Sequence, residues 1–201
     1  MTILFFDTET TGFPVKGVPL DDPHQPRIVQ LAMIEATDEG KIISQHSEIF
    51  DARICEGEDF VIPEQASAVH GISTEFSLHF GTPQRWAISR FMGRTRVCRR
   101  FVAHNAAYDM KMLKIAAARY GYTIPDLNVT CTMEASRDIL KIPPTPRMQA
   151  AGFTQYKNPK LEEAYHHFTG QVLENAHDAL VDTRACMEVF FALKREGATD
   201  D

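Results

Sequence analysis

The sequence predicts one α/β domain, and three observations carry that prediction. Short apolar runs end in acids or turn residues, as buried strands do. The first three of these runs follow one another with no helical segment between them, which suits an antiparallel meander. Beyond them, strand-like runs alternate with helix-like segments, which suits a sheet covered by helices. No repeat or linker divides the 201 residues, so residues 1–195 read as one domain and 196–201 as a frayed tail.

The elements follow in order. Ile3-Leu4-Phe5-Phe6 is a short apolar run that leads into acids, which predicts a buried strand. Residues 13–27 contain Pro14, Pro19, Pro23 and Pro26 and read as a long loop, either a surface insertion or a lid over substrate. Ile28 to Ala36 reads as a central strand, Asp38-Glu39-Gly40 as a tight turn, and Lys41 to Phe50 as the returning strand. Pro63 to Gly71 has proline at its start and glycine at its end, the punctuation of a short helix. Residues 83–93 suit a helix, Val97 to Ala103 a strand, and Ala106 to Tyr120 a helix stopped by Gly121. Asn128 to Thr132 reads as a strand and Met133 to Leu140 as a helix. Residues 141–159, with four prolines, form a second long loop before helices over Leu161–Phe168 and Ala176–Arg195.

Composition narrows the function. Hydrophobic residues make up 44% and charged residues 24%, which is ordinary for a globular chain. No apolar run is long enough to span a bilayer, and Met1-Thr2-Ile3-Leu4 lacks the basic start of a signal peptide, so a cytoplasmic protein is expected. Cys55, Cys98, Cys131 and Cys186 are widely spaced and read as free thiols in a reducing compartment. The net charge of −6 argues against a protein that grips nucleic acid by bulk attraction. It leaves a nuclease open, because acids gathered round divalent cations become attractive to phosphate.

Five residues stand out. Asp7 and Glu9 are two apart at a strand end, so both carboxylates point the same way. Two like charges that close favour a cation, though the pair also fits a solvated strand end. Thr10-Thr11-Gly12 follow, small residues that let backbone approach a ligand. Asp109 falls in the first turn of a helix, where an acid is also a routine structural choice, and Asn105 stands where it would cap that helix. His177 and Asp182 are five apart, a spacing that does not share one face of an ideal helix. If they act together, His177 lies in the loop or the first turn.

Taken together, the three segments resemble the three motifs of the DnaQ-like 3′–5′ exonucleases, a family that includes the proofreading subunits of bacterial replicative polymerases. The motifs are Phe6-Asp7-Thr8-Glu9-Thr10-Thr11-Gly12, Ala103-His104-Asn105-Ala106-Ala107-Tyr108-Asp109 and His177-Asp178-Ala179-Leu180-Val181-Asp182. Ile62-Pro63-Glu64 through Val69-His70-Gly71-Ile72 resembles the family's linking segment. The similarity spans roughly residues 3 to 192. His177 five residues before Asp182, with Asp178 where the other branch has tyrosine, resembles the histidine branch.

The resemblance implies a ribonuclease H-like fold: a mixed five-stranded sheet flanked by helices. It implies a two-metal phosphodiester hydrolase that releases nucleoside 5′-monophosphates from a 3′ end, with DNA the favoured substrate. Asp7 would bridge the metals, Glu9 and Asp182 would complete the site of the metal that holds the attacking water, and Asp109 would support the second. His177 would be the general base, a task suited to imidazole. Mg²⁺ fits the oxygen ligands, and Mn²⁺ would substitute. Backbone near Thr10 and Thr11, with His70 and Asn105, would hold the terminal nucleotide. His70 fits a packing role beside Gly71 equally well. Polymerase or repair proteins are expected partners, while the end of the chain soon after the third motif suggests a freestanding enzyme. The alternatives are a non-catalytic nucleic-acid or polymerase-binding module and an RNA-trimming exoribonuclease.

Other features carry less. Arg90, Arg94, Arg96, Arg99 and Arg100 precede the fourth strand, so a parallel arrangement puts them at the far end of the sheet from Asp7. Lys141, Arg147, Lys157 and Lys160 flank the path to His177 and are expected to meet the scissile strand. Phe13, Phe153 and Tyr156 are candidates for stacking on bases. His166 and His167 sit beside Tyr165 and Phe168, which favours packing over ligation.

Overall fold

A computed structural model describes residues 1–53 and 60–199. The strands are β1 (Thr2–Thr10), β2 (Ile28–Thr37), β3 (Ile42–Ile49), β4 (Arg100–Ala103) and β5 (Val129–Cys131). They form one sheet in the order β3-β2-β1-β4-β5. β2 is antiparallel to β1 and to β3, whereas β4 runs parallel to β1 and β5 parallel to β4. This is the predicted ribonuclease H-like arrangement, a mixed sheet flanked by helices. The helices are α1 (Glu64–His70), α2 (Thr74–Phe80), α3 (Gln84–Arg94), α4 (Ala106–Arg119), α5 (Thr132–Leu140), α6 (Pro146–Ala150), α7 (Leu161–Thr169) and α8 (Ala179–Arg195). Among the described residues no helix is long and apolar enough to cross a membrane.

The alternation of β1 sets the architecture. Ile3 and Phe5 face α8, where they pack with Cys186 and Phe190; Phe5 meets the Phe190 ring edge-on at 5.4 Å. Leu4 and Phe6 face the other side and pack with Ile88 and Phe91 of α3 and Leu113 of α4. Each such fully buried side chain contributes roughly 1.5–3 kcal/mol. The period of two continues past the apolar run, so Asp7 and Glu9 emerge on the α8 side and Thr8 on the α4 side.

Several boundaries differ from the sequence reading. β1 extends to Thr10, because β2 pairs with it through Glu9 opposite Gln30 even after the apolar pattern stops. β4 begins only at Arg100; residues 94–98 instead close the end of α3 through backbone bonds to Arg94 and Gly93. Two short helices were not anticipated. Ser73 caps α2 by accepting from the Phe76 N–H, and Thr145 caps α6, with Pro146 at its first position, inside the second long loop. α8 begins at Ala179 rather than Ala176, since Asp178 caps it and both Asn175 and His177 have positive φ. At its other end the Gly197 and Ala198 N–H groups return to Lys194 and Leu193, and residues 200–201 lie outside the described ones.

The loop over residues 13–27 is tied down from both sides. The Gln25 amide bonds the Val15 backbone and the Pro19 carbonyl. Arg119, at the end of α4, donates to the carbonyls of Pro26, Asp22 and Gln25. Cys98, Cys131 and Cys186 are free thiols, and Cys55 lies outside the described residues. The arginine run does lie away from Asp7: Arg100 pairs in register with Ile3, while Arg90 and Arg94 form ion pairs with Glu48 and Glu35.

Candidate active site

The C-terminal end of β1, the N-terminus of α4, the N-terminus of α8 and the helix α1 surround one cleft of about 870 Å³. Asp7, Glu9, Asp109, His177 and Asp182 all line it, as do Thr10, Thr11, His70 and Asn105. Residues from three distant segments are thus brought to one surface. Asp109 is 3% exposed and reaches across to β1, where its Oδ1 accepts from the Thr8 N–H at 3.1 Å and the Thr8 hydroxyl at 2.7 Å. Thr8 therefore positions Asp109 from the strand residue between Asp7 and Glu9.

The start of α8 solves the spacing problem of the third motif. His177 lies outside the helix with φ 70°, a left-handed conformation uncommon for a residue with a Cβ. This turns its N–H back onto Asp182 Oδ2 at 3.1 Å. The two residues meet because one precedes the helix and the other sits in its first turn. Asp178 caps the helix, its Oδ1 accepting from Leu180 and Val181. Gln30 of β2 clamps the same turn. Its Nε2 donates to Ser47 and to Asp178 Oδ2, and its Oε1 accepts from the Ala179 N–H at 3.2 Å.

Other contacts shape the walls. Tyr108 donates its hydroxyl to the Gly12 carbonyl at 2.9 Å and contacts the Thr10 hydroxyl, fixing the turn after β1. Phe13, 85% exposed, stands edge-on to Tyr108 with ring centroids 5.8 Å apart. Asn105 does occupy the cap position of α4, but its side chain makes no capping bond; it has φ 65° and is exposed into the cleft. His70 Nδ1 accepts from the Ile72 N–H at 3.1 Å, which leaves the proton on Nε2. Burial holds its imidazole below the ordinary value, partly offset by the Thr10 backbone. His104 is committed elsewhere, bonding Thr132 through Nδ1 and the Pro159 carbonyl through Nε2, so it straps the second loop to the sheet.

Of the second loop's cations, only Lys160 lines the cleft among the described residues. Lys157 is occupied by both oxygens of Glu163 at 2.7 Å. Lys141 ends α5, and Arg147, Phe153 and Tyr156 lie off the cleft lining. His166 bonds the Gln171 carbonyl and His167 packs edge-on against Phe168, so neither joins the site.

The electrostatics are those of crowded acids that, among the described residues, have no ion-paired lysine or arginine. Burial pushes Asp7 well above the usual carboxylate range, and Asp109, Asp182 and Glu9 push it further. Burial, then Asp182 and Asp109, raise Glu9 to about 8. Burial raises Asp109 to about 7 despite the two Thr8 bonds, and Asp182 to about 6 despite the His177 N–H. None of the four forms an ion pair with lysine or arginine among the described residues. Asp182 Oδ1 is buried with no hydrogen-bond partner among the described residues. Glu9, His177 and Asp182 offer ligand atoms within 4.8 Å of one another. Oxygen donors, mutual repulsion and an orphaned buried oxygen fit divalent cations, which would compensate all three.

Thr8, Gln30 and Tyr108 escaped the sequence reading as functional residues. Thr8 lies inside the first motif and Tyr108 inside the second, so both were in view, but neither type signals a supporting hydrogen bond by itself. Gln30 is polar within an otherwise apolar strand, the one local signal that it has a buried partner.

The sequence profile of the RNase_T family, described as Exonuclease, matches residues 4–190. The uncharacterized exonuclease CP81 of Escherichia phage 186 is 29% identical over 196 residues, covering 97% of this chain and 89% of the relative. The structure resembles E. coli Exonuclease I in complex with a dT13 oligonucleotide, with a TM-score of 0.73 and 19% identity over 96% of this chain. It also resembles a moderately thermophilic Exonuclease I from Methylocaldum szegediense, with a TM-score of 0.67 and 20% identity over 97% of this chain. This chain spans only 41% and 40% of those two proteins. The profile match covers nearly the whole chain, and the protein belongs to the DnaQ-like exonuclease family.

Proposed function

We propose that the protein is a metal-dependent 3′–5′ exonuclease that favours DNA and releases nucleoside 5′-monophosphates. The observation that carries this reading is the convergence of Asp7, Glu9, Asp109, His177 and Asp182 in one cleft where, among the described residues, no lysine or arginine forms an ion pair with the carboxylates. Asp7, Glu9, Asp109 and Asp182 would hold two divalent cations, with Mg²⁺ the best match to an all-oxygen set. When bound, the cations would offset the charge that develops on phosphate and leaving 3′-oxygen, and would acidify water.

The chain's own residues do the rest. His177 accepts the proton of the attacking water on a ring nitrogen. Its loop is held to Asp182 through the backbone, and Gln30 and Asp178 fix the helix start beneath it. The turn Thr10-Thr11-Gly12, braced by Tyr108, offers backbone groups to the terminal nucleotide, with His70 and Asn105 also lining the cleft. Phe13 is placed to stack on a base. DNA is favoured because E. coli Exonuclease I, the same fold, is described with dT13 bound. A second reading of His177 rests on its 4.8 Å grouping with Glu9 and Asp182, which suits a metal ligand.

The test is degradation of 5′-labelled single-stranded DNA and RNA of matched sequence, with Mg²⁺ and with EDTA. A metal-dependent ladder that shortens from the 3′ end, faster on DNA, is expected. Faster loss of RNA would assign an exoribonuclease. No cleavage with either Mg²⁺ or Mn²⁺ would leave a nucleic-acid-binding module.

A further inference from the structure

A second cavity, of about 350 Å³, is lined in part by the turn after β1. Thr11, Gly12 and Phe13 line both this cavity and the catalytic cleft, so the two are neighbours across three residues. Arg27 lines the second cavity and is only 7% exposed. Its guanidinium lies over the Phe60 ring at 5.8 Å, and its Nη1 is buried with no hydrogen-bond partner among the described residues. Among the described residues no carboxylate pairs with it, and no acid lines the cavity.

Arg119, at the other side of the same loop, shows the contrast. It is 8% exposed and spends its donors on the carbonyls of Pro26, Asp22 and Gln25. Arg27 is equally buried, and among the described residues its side chain takes none. A buried guanidinium without an acceptor is strongly unfavourable, and packing on an aromatic ring offsets only part of that. Its position is nevertheless fixed, because the Arg27 N–H donates to the Thr11 hydroxyl and its carbonyl accepts from the Thr11 N–H, each at 2.9 Å. A planar, always-charged fork held beside an open cavity matches a phosphate oxygen pair.

We infer that Arg27 is an anion site for a backbone phosphate of the substrate strand, upstream of the scissile bond, reached as the strand crosses the Gly12–Phe13 turn. This rests on the exonuclease reading for the strand's direction. A free phosphate or mononucleotide would share the same chemistry, and the test separates the two.

Arg27→Met and Arg27→Lys are compared with wild type in two assays. Anisotropy of a 5′-fluorescent eight-nucleotide DNA is measured against salt in EDTA, and hydrolysis of the p-nitrophenyl ester of thymidine 5′-monophosphate is measured in Mg²⁺. The ester is too small to reach across the turn. Arg27→Met should weaken the oligonucleotide on the order of tenfold. It should also flatten the salt dependence by about 0.7 in log–log slope, the value of one single-strand phosphate contact. Ester hydrolysis should keep its rate, and Arg27→Lys should recover part of the affinity. Arg27→Met should raise Tm, since it removes a buried charge that no acceptor among the described residues compensates; a purely structural arginine would lower it. Equal losses on ester and oligonucleotide, or no change in either, would overturn the site. A Tm rise with inorganic phosphate that Arg27→Met abolishes, without any effect on the oligonucleotide, would overturn the strand assignment. A wild type that binds DNA with an Arg27-dependent slope yet cleaves nothing would sink the exonuclease reading and the strand's direction with it, while leaving Arg27 as a strand-phosphate site.

Discussion

Asp182 divides its two oxygens between two tasks. Oδ2 fixes the backbone of His177, and Oδ1 is buried and, among the described residues, unpaired. An oxygen left this way needs either a proton or a cation. His177 is the complementary case, since its backbone is held and its ring is exposed. Removing the ring should therefore act on chemistry. His177→Ala is expected to lower kcat about 10²–10⁴-fold, the usual range for a general base. Mg²⁺ affinity by calorimetry should change little; a loss as large as that of Asp182→Asn would make His177 a ligand. Asp7→Asn should abolish turnover and weaken Mg²⁺ binding, because Asp7 is the most crowded of the acids. Activity in that variant at the wild-type level would remove Asp7 from the site.

At the scale of elements, the decisive contact is between β2 and α8. Gln30 lies opposite Glu9 in the sheet and reaches the helix start, so one side chain links the strand pair that carries Asp7 and Glu9 to the helix that carries Asp182. Gln30→Leu would leave the Ala179 N–H without its acceptor, at about 1–3 kcal/mol in stability. It should lower kcat more than it raises KM, since it shifts His177 rather than the nucleotide walls. Chemical denaturation and steady-state kinetics on the same variant would check both, and a rise in KM with kcat intact would refute the positioning role. The outer loop behaves alike. Arg119→Met should release residues 13–27 and expose them to limited proteolysis, whereas unchanged resistance would show that Gln25 alone holds the loop.

For the whole molecule, the acids link stability to pH and metal. Asp182, Asp109 and Glu9 have folded values raised to about 6, 7 and 8. The folded chain holds protons there that the unfolded chain releases near pH 4, by about two to four units. Their contribution to stability is complete below about pH 4 and is lost as pH rises through those values. In EDTA, Tm should fall from about pH 5 to about pH 8, by about 10 °C or more. Mg²⁺ should restore most at the alkaline end, where no proton has to be displaced. A flat Tm profile, or a larger Mg²⁺ effect at pH 5, would contradict the proposed cation sites.

Much of this was legible in the sequence. Asp7 and Glu9 share a side because a strand repeats every two residues, and that follows from local geometry alone. The apolar runs fixed which segments would be buried, and the three motifs in order pointed to the family. Local spacing could not place His177 against Asp182, because the contact depends on a left-handed turn before α8 and on a glutamine from β2. Nor could it distinguish Lys157, consumed by Glu163, from Lys160 on the cleft, or Arg119, fully engaged, from Arg27. The sequence by itself determined the chemistry available and the side of each element on which it lies. Which groups meet, and which buried charges stay without a partner, only the packing of distant segments decided. That outcome depends on distances that no local pattern encodes.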